Sequence, residues 1–123
     1  MANVRAPHIN PDTREYWEAC CRHELLLQRC SDCDAWHHFP RTLCPSCWSG
    51  NVKPTPVSGR GTISMFSKLG DRVVAWIDLE EAEGLRTVAN VVECDPSGVR
   101  IGLRVELVWQ DFDDFSLPQF RPA

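Results

Sequence analysis

The chain has 123 residues, 43% of them hydrophobic and 24% charged, with a formal net charge of −4; this suits one compact domain, or one small domain carrying a metal module. The charge is uneven, since residues 1–61 hold seven Lys/Arg against six Asp/Glu while residues 62–123 hold six against eleven. Nucleic-acid binding draws its affinity from neutralised phosphates, so the acidic second half argues against that role, and no apolar run reaches the length of a bilayer span.

Met1–Pro11 carries no hydrophobic export signal. With seven cysteines in a metal-type pattern, this sets the expectation of a protein of the reducing cytoplasm, with no membrane partner. Pro11-Asp12-Thr13-Arg14-Glu15 predicts a helix start, with Asp12 as cap and Glu15 reaching back as in a capping box. Tyr16, Trp17, Cys20 and Cys21 then share one helical face. That face either packs on the same chain or docks on a partner, because a short helix needs tertiary packing to persist. Cys20 and Cys21 read as small apolar residues and not as ligands.

Leu25–Arg29 predicts a strand that leads into Cys30-Ser-Asp-Cys33. After ten intervening residues, Cys44-Pro-Ser-Cys47 repeats the spacing. Each CxxC turns two sulfurs toward one cation, and Trp36–Pro40 between them predicts the strand that brings the second pair opposite the first. Four thiolates in a tetrahedron suit one structural zinc per chain and leave no coordination position open. Iron in the same cage would make the chain a one-electron carrier, and sulfur ligation alone does not separate the two metals. A thioredoxin-type dithiol would need a βαβ pattern nearby, and none is visible.

Gly50–Gly61, with Pro54, Pro56, Gly59 and Gly61, reads as a linker. The expected division is therefore an N-terminal segment and helix (1–24), a zinc ribbon (25–53) and a barrel with a C-terminal tail (54–123). Beyond Gly61 the period changes to two, and strands are predicted at Thr62–Leu69, Arg72–Leu79, Leu85–Cys94 and Arg104–Phe112, with a short element at Val99–Ile101. Gly70-Asp71, Glu80–Gly84 and Asp95-Pro96-Ser97-Gly98 supply turns. An open sheet of this size would leave an apolar face bare. The predicted fold is mainly β: a short helix, a four-cysteine zinc ribbon and a small five-stranded OB-type barrel.

The order of these elements, with Leu25-Leu26-Leu27-Gln28-Arg29-Cys30, Phe39-Pro40-Arg41, Cys44-Pro45-Ser46-Cys47, Ser58-Gly59-Arg60-Gly61 and a closing Leu117-Pro118-Gln119-Phe120-Arg121-Pro122, resembles the DUF35 family. The resemblance covers about residues 11–122. It departs at Asp34, where members often have Gly, and at His38-Phe39-Pro40-Arg41, where two prolines are common. It implies a rubredoxin-like zinc ribbon fused to an OB fold, acting as the accessory subunit of a thiolase-superfamily enzyme. The reaction would be retro-aldol cleavage of acyl-CoA thioesters, including those with steroid side chains, or Claisen-type condensation. The implied partner is a thiolase-like subunit in a heterotetramer, with a CoA thioester as a ligand shared by the complex. The chain itself supplies no catalytic residue in this reading.

The candidate metal ligands are Cys30, Cys33, Cys44 and Cys47. His37 and His38 are redundant as ligands and read as hydrogen-bonding or partner-contact residues. Trp17, Trp36, Phe39 and Trp48 are candidate partner contacts, because aromatic residues and Arg are enriched at interfaces and a ribbon has little core to hide a Trp. Phe66, Trp76 and Trp109 are expected to pack in the core. Arg41 and Arg60 suit a CoA phosphate or an acidic partner residue, or an ordinary ion pair within the chain. Asp111, Asp113 and Asp114 read as a solvated loop without the Gly and Glu of a calcium site. The competing function is a nucleic-acid or nucleotide binder, since OB folds bind single strands through aromatic platforms.

Overall fold

In the computed structural model, which describes Pro7 and residues 9–123, helix α1 spans Arg14–Cys21. Its N-cap is Thr13, whose side chain makes no cap hydrogen bond. The predicted Asp12–Glu15 box does not form. Asn10 takes its place: Oδ1 accepts from the backbone N–H groups of Asp12 and Thr13, both at 3.0 Å. Asp12 is thereby free to accept a hydrogen bond from Thr42 in the ribbon.

Strands β1 (Leu26–Cys30), β2 (Trp36–His37) and β3 (Val52–Pro56) form an antiparallel sheet in the order β2-β1-β3. The stretch read as a linker thus contains a strand. Val57 N–H donates to Leu25 O, and Ser31 N–H donates to Asn51 O. Odd-numbered residues of β3 therefore face β1, and Pro54 and Pro56 point to the open edge, where a missing N–H costs nothing.

Strands β4 (Arg60–Leu69), β5 (Arg72–Leu79), β6 (Arg86–Val91), β7 (Arg104–Asp111) and β8 (Ser116–Pro122) close into a five-stranded barrel ordered β4-β5-β6-β8-β7. β4 and β7 join antiparallel, with Gly61 opposite Val105, while β6 and β8 meet in parallel at Val91 and Phe120. The fold is that of an OB barrel, as the sequence predicts. β6 stops at Val91, short of the predicted Cys94, because the chain reverses at Glu93 (φ +56°). Val99–Ile101 is not a strand; Pro96–Gly98 form a 3₁₀ turn, and Val99 is buried in the core.

β8 lies in the predicted tail and carries two prolines, residues that central strands exclude. Phe120 O accepts from the N–H of Val92, just past β6, and Ala123 N–H donates to Arg104 O on the β7 side. Even-numbered residues of β8 thus turn their main chain away from β7. Pro118 and Pro122 lack a donor only on that side, which meets β6 at Phe120 alone.

One apolar cluster runs through the molecule. Leu25 and Leu27 of the ribbon and Tyr16 and Cys20 of the helix are buried with Ile63, Ile77 and Phe120 of the barrel. Trp76 is a correction: its side chain is outside, 43% exposed. Strand parity is the reason, since Val73, Ala75, Ile77 and Leu79 take the inward positions of β5. Phe66 and Trp109 are half-buried against the cluster.

Gly59 connects the ribbon sheet to β4 with φ +82°, and a Cβ there would lie 2.5 Å from Leu107 Cβ. Gly59→Ala combines left-handed strain with a backbone-level clash, and we expect it to cost about 2 kcal/mol or more. A lower urea midpoint with an unchanged slope checks this; an unshifted midpoint contradicts it.

Candidate metal centre and partner-facing surface

The two CxxC segments fold alike. Asp34 N–H donates to Cys30 O and Trp48 N–H donates to Cys44 O, both at 2.9 Å. Each knuckle is re-entered by a second bond, Cys30 N–H to Ala35 O and Cys44 N–H to Ser49 O. The residue after each second cysteine is left-handed, with φ +62° at Asp34 and +63° at Trp48. Asp34 stands where the family often has Gly, and Asp is among the residues that tolerate this conformation. Asp32 ties the knuckles together, accepting hydrogen bonds from Ser49 Oγ and from Asn51 Nδ2. Those bonds, Ser49 first, hold its carboxyl below the usual range.

The four sulfurs lie within 4.8 Å of one another. Cys30 Sγ is 3.6 Å from Cys47 Sγ, and Cys33 Sγ is 3.7 Å from Cys44 Sγ. A zinc ion at its normal Zn–S length sets tetrahedron edges of about 3.8 Å. The donor set therefore fits a closed tetrathiolate site, and zinc is the metal these residues suit best. Main-chain N–H groups, that of Cys47 first, lower the Cys44 thiol pKa. At Cys47 the Ser49 N–H also lowers it, but desolvation and the crowding of the four sulfurs outweigh that and raise the thiol, so without a cation the cluster does not hold four thiolates at once. Among the described residues, no other group of three or more His, Cys, Asp or Glu is close enough to share an ion.

Gln28 anchors the loop between the knuckles. Its Oε1 accepts from Arg41 N–H at 2.7 Å and lies 2.6 Å from His37 Nε2. Trp36 is half-buried beneath the Arg29 guanidinium, 5.4 Å from its ring centre. His38 stacks on Phe39 at 4.3 Å and tilts against Tyr16 at 5.3 Å. Burial first, then the charge of His37, pulls the His38 pKa down to about 4, so its imidazole is neutral near pH 7. The Nδ1 atom of His38 is buried without a hydrogen-bond partner.

Trp17, His38 and Phe39 come together in one groove of about 280 Å³, walled by α1, the ribbon loop and strands β5, β6 and β8. Trp36, His37, Arg41, Trp48 and Arg60 do not line it. Trp48 is 76% exposed at the second knuckle, and Arg41 is exposed. Arg60 is engaged within the chain, its guanidinium 2.9 Å from Glu80. Sequence reasoning missed the barrel wall of the groove, Val88, Ala89 and Leu117, because these positions come from strands far apart in sequence.

A further polar array stands where the end of β7 meets the start of β8. Asp111 Oδ1 accepts from Ser116 Oγ at 2.6 Å and lies 2.6 Å from His23 Nε2. The carboxylate stands between the hydroxyl and the imidazole, so the histidine cannot act as base on the serine. His23 also stacks on Trp109 at 5.3 Å, which fastens the end of α1 to β7.

The comparisons with known proteins agree with this geometry. The family model described as ChsH2, rubredoxin-like zinc ribbon domain, matches residues 17–53, and that described as ChsH2, C-terminal OB-fold domain, matches residues 54–110. A DUF35 domain-containing scaffold protein from Methanothermobacter thermautotrophicus is 31% identical over 72% of this chain and 74% of its own length. The chain belongs to the DUF35 family. This DUF35 chain is also 33% identical, over 94% of its length, to the 3-oxo-4,17-pregnadiene-20-carboxyl-CoA hydratase alpha subunit of Mycobacterium tuberculosis, of which it spans 39%. A chain of the solved Ltp2-ChsH2(DUF35) aldolase superposes with a TM-score of 0.85 at 32% identity, covering 96% of this chain and 99% of that one.

Replacing Cys44 with Ser removes one of four thiolates from a closed site. We expect bound zinc to fall from one per chain to well below one, and amide exchange to rise first across Cys30–Ser49 while β4–β8 stay protected. Metal analysis and hydrogen exchange on the same sample check both; full zinc occupancy in the variant would contradict the ligand assignment.

Proposed function

We propose that this chain is the accessory subunit of a thiolase-like enzyme acting on acyl-CoA thioesters. The chemistry is retro-aldol cleavage of a β-hydroxyacyl-CoA, with steroid side chains as the leading acyl class, or Claisen-type condensation. The observation that carries this is the near full-length superposition on the DUF35 chain of an aldolase. The similarity to a hydratase subunit named for a pregnadiene-carboxyl-CoA supports the steroid class.

In this reading the chain holds, and the partner reacts. Cys30, Cys33, Cys44 and Cys47 clamp a zinc ion that fixes the ribbon and keeps no site for substrate. The segments divide as 1–24, 25–53 and 54–123, and the split of the two family models between residues 53 and 54 supports this, with β3 running across the join. Trp17, Trp36, His37, His38, Phe39 and Trp48 supply partner contacts around the ribbon. Arg41 offers an exposed cation to a CoA phosphate or partner carboxylate; Arg60 would first have to leave Glu80. The complex is a heterotetramer of the cytoplasm, with the CoA thioester shared between subunits. The uncharged groove and acidic barrel half give single-stranded nucleic acid little to bind.

The test is enzymatic. The purified chain should show no cleavage or condensation of β-hydroxyacyl-CoA above buffer, and adding it to its thiolase-like partner should raise the partner's turnover. Turnover by the chain alone, or a partner indifferent to its presence, would overturn the proposal.

A further inference from the structure

The charged residues of this chain avoid one region. Nearly a quarter of the sequence is Asp, Glu, Lys or Arg, yet no charged side chain lines the groove between α1, the ribbon loop and the barrel. Its lining is mostly apolar, with Val74, Val88, Leu117, Trp17 and Phe39 among it, and its polar members, such as Asn90 and Gln119, are uncharged. His38, also on the wall, is neutral near pH 7 and holds a buried nitrogen without a hydrogen-bond partner.

The groove runs on into a second apolar feature. Register places Met65 opposite Trp76 on neighbouring strands, and Trp76 opposite Val88 on the next. All three point outward, 56%, 43% and 49% exposed, and Arg86, its charge paired with Asp78, lies over the Trp76 ring at 6.0 Å and borders the row. Val88 belongs to both features, so the groove and the row form one surface. Contiguous apolar patches of this kind on a folded chain mark interaction sites.

We propose that this surface receives an uncharged apolar side chain and its flanking main chain from the thiolase-like partner, with the side chain seated in the groove and the Met65–Trp76–Val88 row packed beneath the segment that follows. The inference rests on the accessory-subunit reading and assigns the docking face within it. Three features select this occupant. A charge-free lining rejects the phosphates of a nucleotide head group. A row crossing three strands is broad and open, which suits a protein surface more than a small ligand. A second copy of this chain would bring its own acidic barrel half, residues 62–123 with eleven acidic against six basic residues, against the same half. A main-chain amide of the docked segment would also give His38 the hydrogen bond it lacks.

The test measures affinity of full-length chains for the purified thiolase-like partner by calorimetry, at low and at high salt. Val88→Asp places a carboxylate on a residue that is exposed in the free chain, so fold and zinc content should persist. Buried in the complex without a partner charge, it should weaken binding by about 30-fold or more. Ile101→Asp, on an exposed loop residue outside the surface, should bind as the unaltered chain does. Phe39→Ala should fall between the two, and salt should change the affinity of the unaltered chain little. If the unaltered chain binds and Val88→Asp binds equally well, this docking face is wrong and the accessory reading stands. If Val88→Asp disrupts only a self-dimer, the occupant is wrong. If the unaltered chain does not bind the partner, both readings fail.

Discussion

The structure depends on one shared apolar cluster. A ribbon of three short strands cannot bury a core of its own, and an isolated eight-residue helix is not stable in water. Both solve the problem on the barrel. Leu27 of β1 and Phe120 of β8 are fully buried in the same cluster, joined by Cys20 of α1. Burial of this kind supplies most of the stabilising free energy of a small domain. The tetrathiolate site acts at the opposite end, where the knuckles have hydrogen bonds but little apolar surface. The cluster joins helix, ribbon and barrel, and a metal at the four cysteines would fix the knuckles. The groove exists only because all three meet.

Much of this was legible from residues. CxxC spacing foretold that the four cysteines converge, because metal geometry constrains neighbours in sequence. Period-two patterning reports barrel strands because parity decides which side chains face inward. The same parity rule, applied to Val73, Ala75, Ile77 and Leu79, would have put Trp76 outside; reading the tryptophan by its size alone misplaced it. Prolines misled at β3, since a proline excludes a strand only where its N–H is needed, and that depends on which neighbour lies on which side; β8 lies in the tail, where the sequence reading predicts no strand. The Asn10 cap was missed because Asp12 and Asn10 compete for the same start, and the tie to Thr42 that occupies Asp12 is a long-range contact. The groove had no linear signal, as Trp17, Phe39, Val88 and Leu117 lie far apart along the chain.

The chemistry the chain withholds is as informative as what it presents. A four-cysteine site spends its metal on structure. The polar array Ser116–Asp111–His23 is ordered so that it fastens α1 to β7 and activates nothing. Half-buried His38 is held neutral near pH 7. What remains on the surface is aromatic and aliphatic area around the ribbon and along the Met65–Trp76–Val88 row, with salt bridges satisfying Arg60 and Arg121 elsewhere and Arg86, tied to Asp78, lying over the Trp76 ring. This surface agrees with the proposed accessory role, in which contact with another chain is the work and the partner makes and breaks bonds.

The claim that this chain is a zinc-stapled docking body is tested most directly by native mass spectrometry of the chain co-expressed with its thiolase-like partner. The account predicts one particle containing both chains, with one zinc for every copy of this one. Two separate species, or a complex whose accessory chain carries no metal, would contradict it.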